Sequence, residues 1–489
     1  MSKTNKPPYF MIIIMMIGSF IALLNNSLMN NALPTIMDDL NLAEYSTVQW
    51  LTNGYMLVMG VLIPTSAFFI KKYSTRSIFL ASMIIFTLGT VIGIFAPNFT
   101  VLLIARIVQA AGAALLSPLL MNVMFAVFTP KQRGTAMGLY GLVVIVAPAF
   151  GPTISGYLLE NYSWRSLFIV IAPIAALSVL LSVWKLKNVL EQTKAFMDVL
   201  SLILSTLGFA LLLYGASNAS SKGWGDSVVL ACLIIGAVAL ILFVVRQLKI
   251  NEPLMDVRVY KYPMFALGSV LSVLTSMILY SAMLLLPMYF QKVQEFSPMK
   301  AGLILLPGSL AMGFIMPIAG RLFDKLGIRP LVWTGFPLLG VSLFALTKLE
   351  IDTSLSYTVF WFIVFSVACA LVMMPITTNS LNQLPQKLNS SGVAINSTLQ
   401  QVAGAVGSAI FVTVMTNFAK VRGEELMKER TAEIGNDIAT YSEQQMATFQ
   451  YDLTQQAMLE AINHTMYVGI WVLLVALVVS LFVKTSSRD

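Results

Sequence analysis

Arg106 is the residue from which chemistry can be argued first. It sits in LLIARIVQAAGA (102–113) and is the only charge placed deep in an apolar run. An isolated cation at the centre of a membrane helix costs at least about 2.5–3.5 kcal/mol on insertion scales, so it must face a protein interior and find a partner there. Gln109, three residues on, shares its helix face. No Asp or Glu occupies the middle of any apolar run. Amides lie at comparable depth instead: Asn25, Asn26, Asn30 and Asn31 in LLNNSLMNNALP. A carboxamide donates and accepts hydrogen bonds but carries no titrating proton. Groups able to bind and release one stand only at run ends. They are Asp38, Asp39, Glu160, Asp324 and His464, the last of a type that titrates near neutrality. His464 is the single histidine and has no Cys or Glu at ligand spacing, so no metal site is expected. No phosphate loop or nucleophile elbow appears, and no nucleophile, base and orienter can be pointed to. An enzyme is disfavoured and no cofactor is expected.

The element that must position this chemistry is APAFGPTISGYL (147–158). Pro148 and Pro152 lie four apart and share one face, with Gly151 and Gly156 close by. One proline in a soluble helix interior costs roughly 3 kcal/mol. In a membrane bundle neighbouring helices re-satisfy the freed backbone groups. The stretch therefore reads as a bending helix packed tightly among others.

Composition explains why membrane helices are the frame. The chain has 489 residues, 57% hydrophobic and 11% charged, where soluble domains carry about 25% charge. A span needs about 20 apolar residues. Fourteen candidates lie near 10–34, 48–70, 77–96, 100–126, 135–159, 165–186, 198–217, 227–248, 264–290, 300–323, 330–348, 354–378, 397–419 and 464–484. The class is an all-α polytopic membrane protein. Basic residues gather at both ends and in the gaps after even-numbered spans, among them Lys71, Arg76, Lys131, Arg133, Lys194, Arg246, Arg258, Lys325, Arg329 and Lys387. The positive-inside rule puts those gaps and both termini in the cytoplasm of a cell-membrane protein. The basic excess thus reports topology, and no nucleic-acid partner is expected. The segment 420–463 is the only long outer gap, and its helical spacing predicts an extracellular helical hairpin or amphipathic helix. No heptad or GxxxG face stands out, so a monomer is expected. Cys232 and Cys369 fall in apolar runs and read as packed thiols.

FFIKKYSTRSIFL (68–80) after span 2 is echoed by RLFDKLGIRPLVW (321–333) after span 10, with Arg76 and Arg329 in matching places. Repeated halves mark transporters whose substrate site lies near the bilayer midplane. The match requires six spans, two extra, then six. The expected division is 1–190, then 191–262 with the two additional helices and their linkers, then 263–489.

These segments resemble the fourteen-span drug/proton antiporter family of the major facilitator superfamily. PAFGPTISG is similar to that family's antiporter motif on span 5, and SWRSLF (163–168) to the pattern after it. ALPTIM, QWL, LPMYFQ, SPMKAGLILLPG, AGRLFDKLGIR and NSSGVAINSTLQQVAGAVG match family patterns in order along nearly the whole chain. Similarity is greatest to multidrug and lincosamide-type exporters of Gram-positive bacteria. The resemblance implies the major facilitator fold and efflux by alternating access, with the proton as coupling ion. It ties Arg106 and Gln109 to coupling, and Pro148, Gly151, Pro152, Gly156, Asp324 and Arg329 to coupling or gating.

Departures from the pattern are informative. The acidic residue that family members usually carry before ALP is missing, so the coupling proton must use Asp38, Asp39, Glu160, Asp324 or His464, or coupling is atypical. Ala67, Lys71 and Ser74 replace the usual Gly, Asp and Gly of the N-terminal gate loop, which predicts weaker bracing there. The expected cavity lining is polar and uncharged: Asn25, Asn26, Asn30, Asn53, Asn122, Gln291, Asn379, Asn396 and Gln400. Such a lining suits neutral, zwitterionic or anionic amphiphiles, and the expected partners are small amphipathic substrates and the lipid bilayer. The alternative is export or flipping of an endogenous lipid, fatty acid or metabolite.

Overall fold

The computed structural model describes residues 8–193, 198–434 and 442–484. Lys194 of the basic set lies outside them. Fourteen helices are long and apolar enough to cross a membrane, and no strand occurs among the described residues. They are span 1 (Tyr9–Asp39), span 2 (Trp50–Lys72), span 3 (Thr75–Ile94), span 4 (Phe99–Val127), span 5 (Pro130–Asn161), span 6 (Ser166–Lys185) and span 7 (Val199–Ala219). Span 8 (Ser227–Lys249), span 9 (Pro263–Val293), span 10 (Pro298–Leu326), span 11 (Ile328–Leu346), span 12 (Leu355–Asn382), span 13 (Gln386–Glu433) and span 14 (Glu443–Ser480) complete the set. Each coincides with an expected apolar run. The gaps after even-numbered spans gather at one end of the bundle, called here the basic face. The other end is the hairpin face.

Spans 13 and 14 run well beyond the hydrophobic stretches, since no Pro or Gly pair stops either helix at its membrane end. Their extensions form the expected hairpin, of which 435–441 lie outside the described residues. Arg422 bonds Glu460 at 2.6 Å and Glu425 and Glu429 at 3.2 Å. Leu426, Leu453 and Ala457 bury a small apolar contact of their own. Gln455 donates to the Val293 carbonyl and Asn463 to that of Leu349, tying the hairpin to the outer ends of spans 9 and 11.

The repeat is visible as a repeated bond. Arg76 donates to the Val183 carbonyl at the end of span 6 (2.6 Å), and Arg329 donates to the Val483 carbonyl just past span 14 (3.2 Å). In each half an arginine opening the third helix satisfies an orphan carbonyl at the end of the sixth.

Two seams join the halves. Along the first, spans 5 and 10 run antiparallel in one register: Gly134 meets Gly320, Gly138 meets Met316, Val146 meets Gly313, Pro152 meets Gly302 and Gly156 meets Met299. Along the second, span 2 faces span 13, with span 7 lodged beside both. Leu213 of span 7 fills the space over Gly60, Tyr214 stacks on Trp50 (5.8 Å), and Trp224 just beyond span 7 donates to Thr413 (2.8 Å).

Candidate functional site

The polar run of span 1 is a hub whose amides and hydroxyl point to three neighbours. Arg106 of span 4 is fully buried, the one charged side chain so placed among the described residues. Its Nη1 donates to Asn25 Oδ1 (2.8 Å) and Gln109 Oε1 (2.9 Å), Nη2 to Asn26 Oδ1 (3.1 Å) and Nε to the Leu51 carbonyl (3.1 Å). The guanidinium carbon lies 4.2 Å over the Tyr55 ring, a contact that attracts a desolvated cation. Gln109 passes the network on through Nε2 to Thr90 Oγ1 (2.9 Å). Every oxygen that accepts from Arg106 belongs to an amide or a backbone carbonyl. The charge is solvated by dipoles and neutralised by none of them, so Asn25 stands where an ion-pairing acid would sit.

On another face of span 1 the proline element is seated. Pro152 has no N–H, so the Pro148 carbonyl loses its normal intrahelical donor. Ser27 Oγ supplies the bond at 2.8 Å. Gly151 is required at this crossing because a Cβ there would fall on the Ser27 hydroxyl. Asn31 donates to Ser155 (3.0 Å), which bonds the Pro152 carbonyl (3.2 Å). Thr52 of span 2 donates to Asn30 (3.1 Å). One stretch of span 1 thereby holds spans 2, 4 and 5.

The remaining expected residues separate into groups. Asn30 is exposed, Asn53, Gln291 and Gln400 are half-buried, and Gln400 Nε2 is shielded without a protein partner. Asn396 is buried. Three residues expected in the cavity lining make bonds within the protein. Asn25 is spent on Arg106. Asn122 is buried and bonds back to the Pro118 carbonyl of its own helix (2.9 Å). Asn379 is buried and holds the Lys484 carbonyl (3.2 Å) near the end of span 14. None of the five titratable candidates bonds to Arg106. Asp38 and Glu160 are exposed at the hairpin face. Asp39 accepts from Trp164 Nε1 (2.8 Å) and Arg165 (3.2 Å), stapling span 1 to the SWRSLF corner. It lies fourteen residues from Asn25, about 20 Å along the helix. His464 is exposed and stacked on Phe418 at 4.1 Å.

Asp324 lies at the basic face, where it closes the first seam. Its carboxylate accepts from Gly134 N, Thr135 N and Thr135 Oγ1, all at 2.8 Å. These donors belong to the N-terminus of span 5, where a negative charge also meets the positive end of the helix dipole. Arg133 donates to Asn382 of span 12 beside it (3.0 Å). Arg329 takes no part in this latch. In the repeat, Lys71 occupies the Asp324 place and donates to Ser391 Oγ at the N-terminus of span 13 (3.3 Å). The basic face is closed at both seams.

Sequence reasoning missed Tyr55, Ser27, Thr90 and Ser391. Ser27 had a signal, since a hydroxyl one helix contact from Pro148 is what a proline-freed carbonyl needs. Ser391 had none.

Comparison with known proteins agrees with the helical fold. The family model described as Major Facilitator Superfamily matches residues 15–408. The lincomycin resistance protein LmrB of Listeria monocytogenes is 41% identical over 86% of this chain and 91% of its own. The riboflavin transporter RibZ of Clostridioides difficile is 29% identical over 83% of this chain and 88% of its own. Among solved structures, the proton:xylose symporter XylE superposes with a TM-score of 0.61 at 12% identity, covering 99% of this chain and 98% of that one. That last likeness is one of fold.

Proposed function

The chain belongs to the major facilitator superfamily, and from that premise we propose that it is a multidrug efflux transporter of the cytoplasmic membrane. It moves small amphipathic molecules outward by alternating access, in exchange for protons. The two six-helix bundles pivot about the substrate, with the basic face and both termini in the cytoplasm and the protein acting as a monomer. It is not an enzyme and takes no nucleic acid.

The observation that carries the substrate reading is the environment of Arg106. The only fully buried charge among the described residues is a cation surrounded by amides. This environment offers no carboxylate to a dicationic drug, and the field of Arg106 favours neutral, zwitterionic or anionic amphiphiles. The likeness to a lincomycin resistance protein supports drug export. A basic face closed by Asp324 and Lys71 fits the state from which substrate leaves outward. A second reading, export of an endogenous metabolite, draws support from the riboflavin transporter among the relatives. Its lipid version has less support, because spans 5 and 10 touch along their length and leave no slot for an acyl chain on that side.

The test uses inside-out vesicles energised to an acid interior and followed with a pH-sensitive dye. Neutral and cationic amphiphiles are added in turn. Dequenching by neutral amphiphiles, lost in Arg106→Ala, is the expected result. Substrate uptake without dequenching would remove proton coupling from the proposal. Asn25→Asp places a carboxylate 2.8 Å from the guanidinium, and it should admit cationic drugs that the parent refuses.

A further inference from the structure

Lys71 is in an unfavourable place by itself. It puts a positive charge at the positive end of span 13, where its counterpart Asp324 puts a negative one on span 5. The structure surrounds it with parts of the linkers that enter and leave spans 7 and 8. Thr193 N, from the linker before span 7, donates to the Lys71 carbonyl at 2.8 Å, satisfying an orphan acceptor at the end of span 2. Asp256 N, from the linker after span 8, donates to Ser391 Oγ at 3.1 Å, the same oxygen that accepts from Lys71 Nζ at 3.3 Å. Ser391 is fully buried, so one hydroxyl joins span 2, span 13 and this linker. Asp256 and Glu252 are the acids near enough to act on the Lys71 charge, and the Asp256 carboxylate also accepts from Arg258 N (3.0 Å) and lies 4.0 Å from the Arg258 guanidinium.

The linker is held firmly enough to serve. Leu254, Met255, Val257 and Val259 are buried. Met255 N donates to Gln247 Oε1 (3.2 Å), and Gln247 Nε2 donates to Ser201 (2.6 Å). Arg246 of span 8 grips Asp198 with two bonds of 2.6 and 2.8 Å. Arg258 donates to the Leu248 and Ile250 carbonyls. The base of spans 7 and 8 and the segment from 250 to 262 thus form one unit that reaches the gate.

We propose that the two additional spans are a working part of the basic-face gate, with Asp256 as a positioning residue that supplies from the linker the negative charge that span 2 lacks at Lys71. The gate on this side has three bodies, and closing it requires the hairpin of spans 7 and 8 to be in place. The inference rests on the alternating-access part of the proposed function. Its test reads conformation and not transport, so the two fail separately.

Spin labels at Lys131→Cys and Lys387→Cys, exposed on the two halves of the basic face, report opening by their distance distribution in a background with Cys232→Ser and Cys369→Ala. Asp256→Lys should raise the separated population about three- to fivefold, the size of a partly exposed charge pair. Adding Lys71→Glu to it should restore the parent distribution, and Asp256→Glu should leave it unchanged. If Asp256→Lys does not fold, Asp256→Asn keeps the backbone bond to Ser391 and an acceptor for Arg258 N while losing the charge, its 4.0 Å pairing with Arg258 included, and roughly a twofold rise is expected. The proposal is overturned by an unchanged distribution in Asp256→Lys or in Asp256→Asn, or by a rise in Asp256→Lys that Lys71→Glu fails to reverse.

Discussion

The two seams between the halves close by different means. On the first, span 5 lies against span 10 with backbone on backbone, and Gly134 and Gly320 leave no room for a Cβ on either side. Asp324 then reaches three donors on the end of the opposing helix. On the second, Ala67 takes the place of Gly320 and is buried. Ser74 takes the place of Gly327. Gly327 needs its left-handed φ of 81° to turn between helices. Ser74 is extended and caps span 3 through Ser77 N. The sequence departures in the N-terminal loop are therefore coherent. Each removes a feature that close helix contact would need, and span 7 lies beside spans 2 and 13. A repeat that starts symmetric can keep its fold while one copy of its gate hands its charge to an inserted element.

This contrast can be broken or sharpened by substitution. Gly320→Ala should have the largest effect, since the clash is with a carbonyl and neither helix can yield alone. Overpacking of this kind costs up to about 3 kcal/mol. The spin-label pair should show a mostly open basic face, whereas Ala67→Gly should leave the gate distribution unmoved. Equal responses at the two positions would erase the distinction between seams.

Asp324→Asn comes next. It keeps the shape and loses the charge that three donors share, at about 2 kcal/mol, so the open population should rise more than tenfold. A shift below twofold would mean that glycine contact alone holds the seam.

Lys71→Asp is expected to be small in the parent, because the gain at the helix end, about 0.3–1 kcal/mol, is opposed by Asp256 and Glu252. Combined with Asp256→Asn, the same substitution should close the gate beyond the parent level. Cysteine-probe protection at the basic face would record it, and identical protection in both backgrounds would show that the linker acids do not reach position 71.

The smallest effect concerns Asp198, which lies just outside span 7. The hydrogen bond from Arg246 lowers its carboxyl to about 2, with Ser201 assisting. A depressed carboxylate contributes stability above its unfolded value near 4 and loses it as pH falls toward 2. The half-buried pair is therefore constant at neutral pH. A melting-temperature difference between parent and Asp198→Asn should narrow only below about pH 4.

Much of this frame was legible in the sequence, because a helix that crosses lipid must be apolar for its whole length. The fourteen runs, the matched Arg76 and Arg329 and the helical segment after span 13 could all be read. Arg106 could be singled out because a lone charge in an apolar run has one explanation. Its partners could be seen as residue types but not assigned. Asn25 and Asn26 are neighbours, and nothing in the spacing says that both turn to Arg106 while Asn30 and Asn31 turn to spans 2 and 5. The carbonyls that Asn122 and Asn379 hold could not be read for a related reason, since a buried amide satisfied by a carbonyl has the same letter as one facing substrate. The partners of Lys71 were out of reach. Ser391 and Asp256 are brought to it by the fold from 320 and 185 positions away along the chain.

The hairpin has a mechanical consequence. Span 13 continues without interruption into its extension, so whatever tilt the membrane part takes, the outer part takes too. The described extension from Lys420 to Ile434 is about 20 Å long at 1.5 Å per residue, and a ten-degree tilt at its root carries the tip about 4 Å sideways. Motions too slight to resolve among packed helices are thus magnified toward the tip, beyond the ties that Gln455 and Asn463 make to the body, where the arm acts as a needle on the dial of the cycle within.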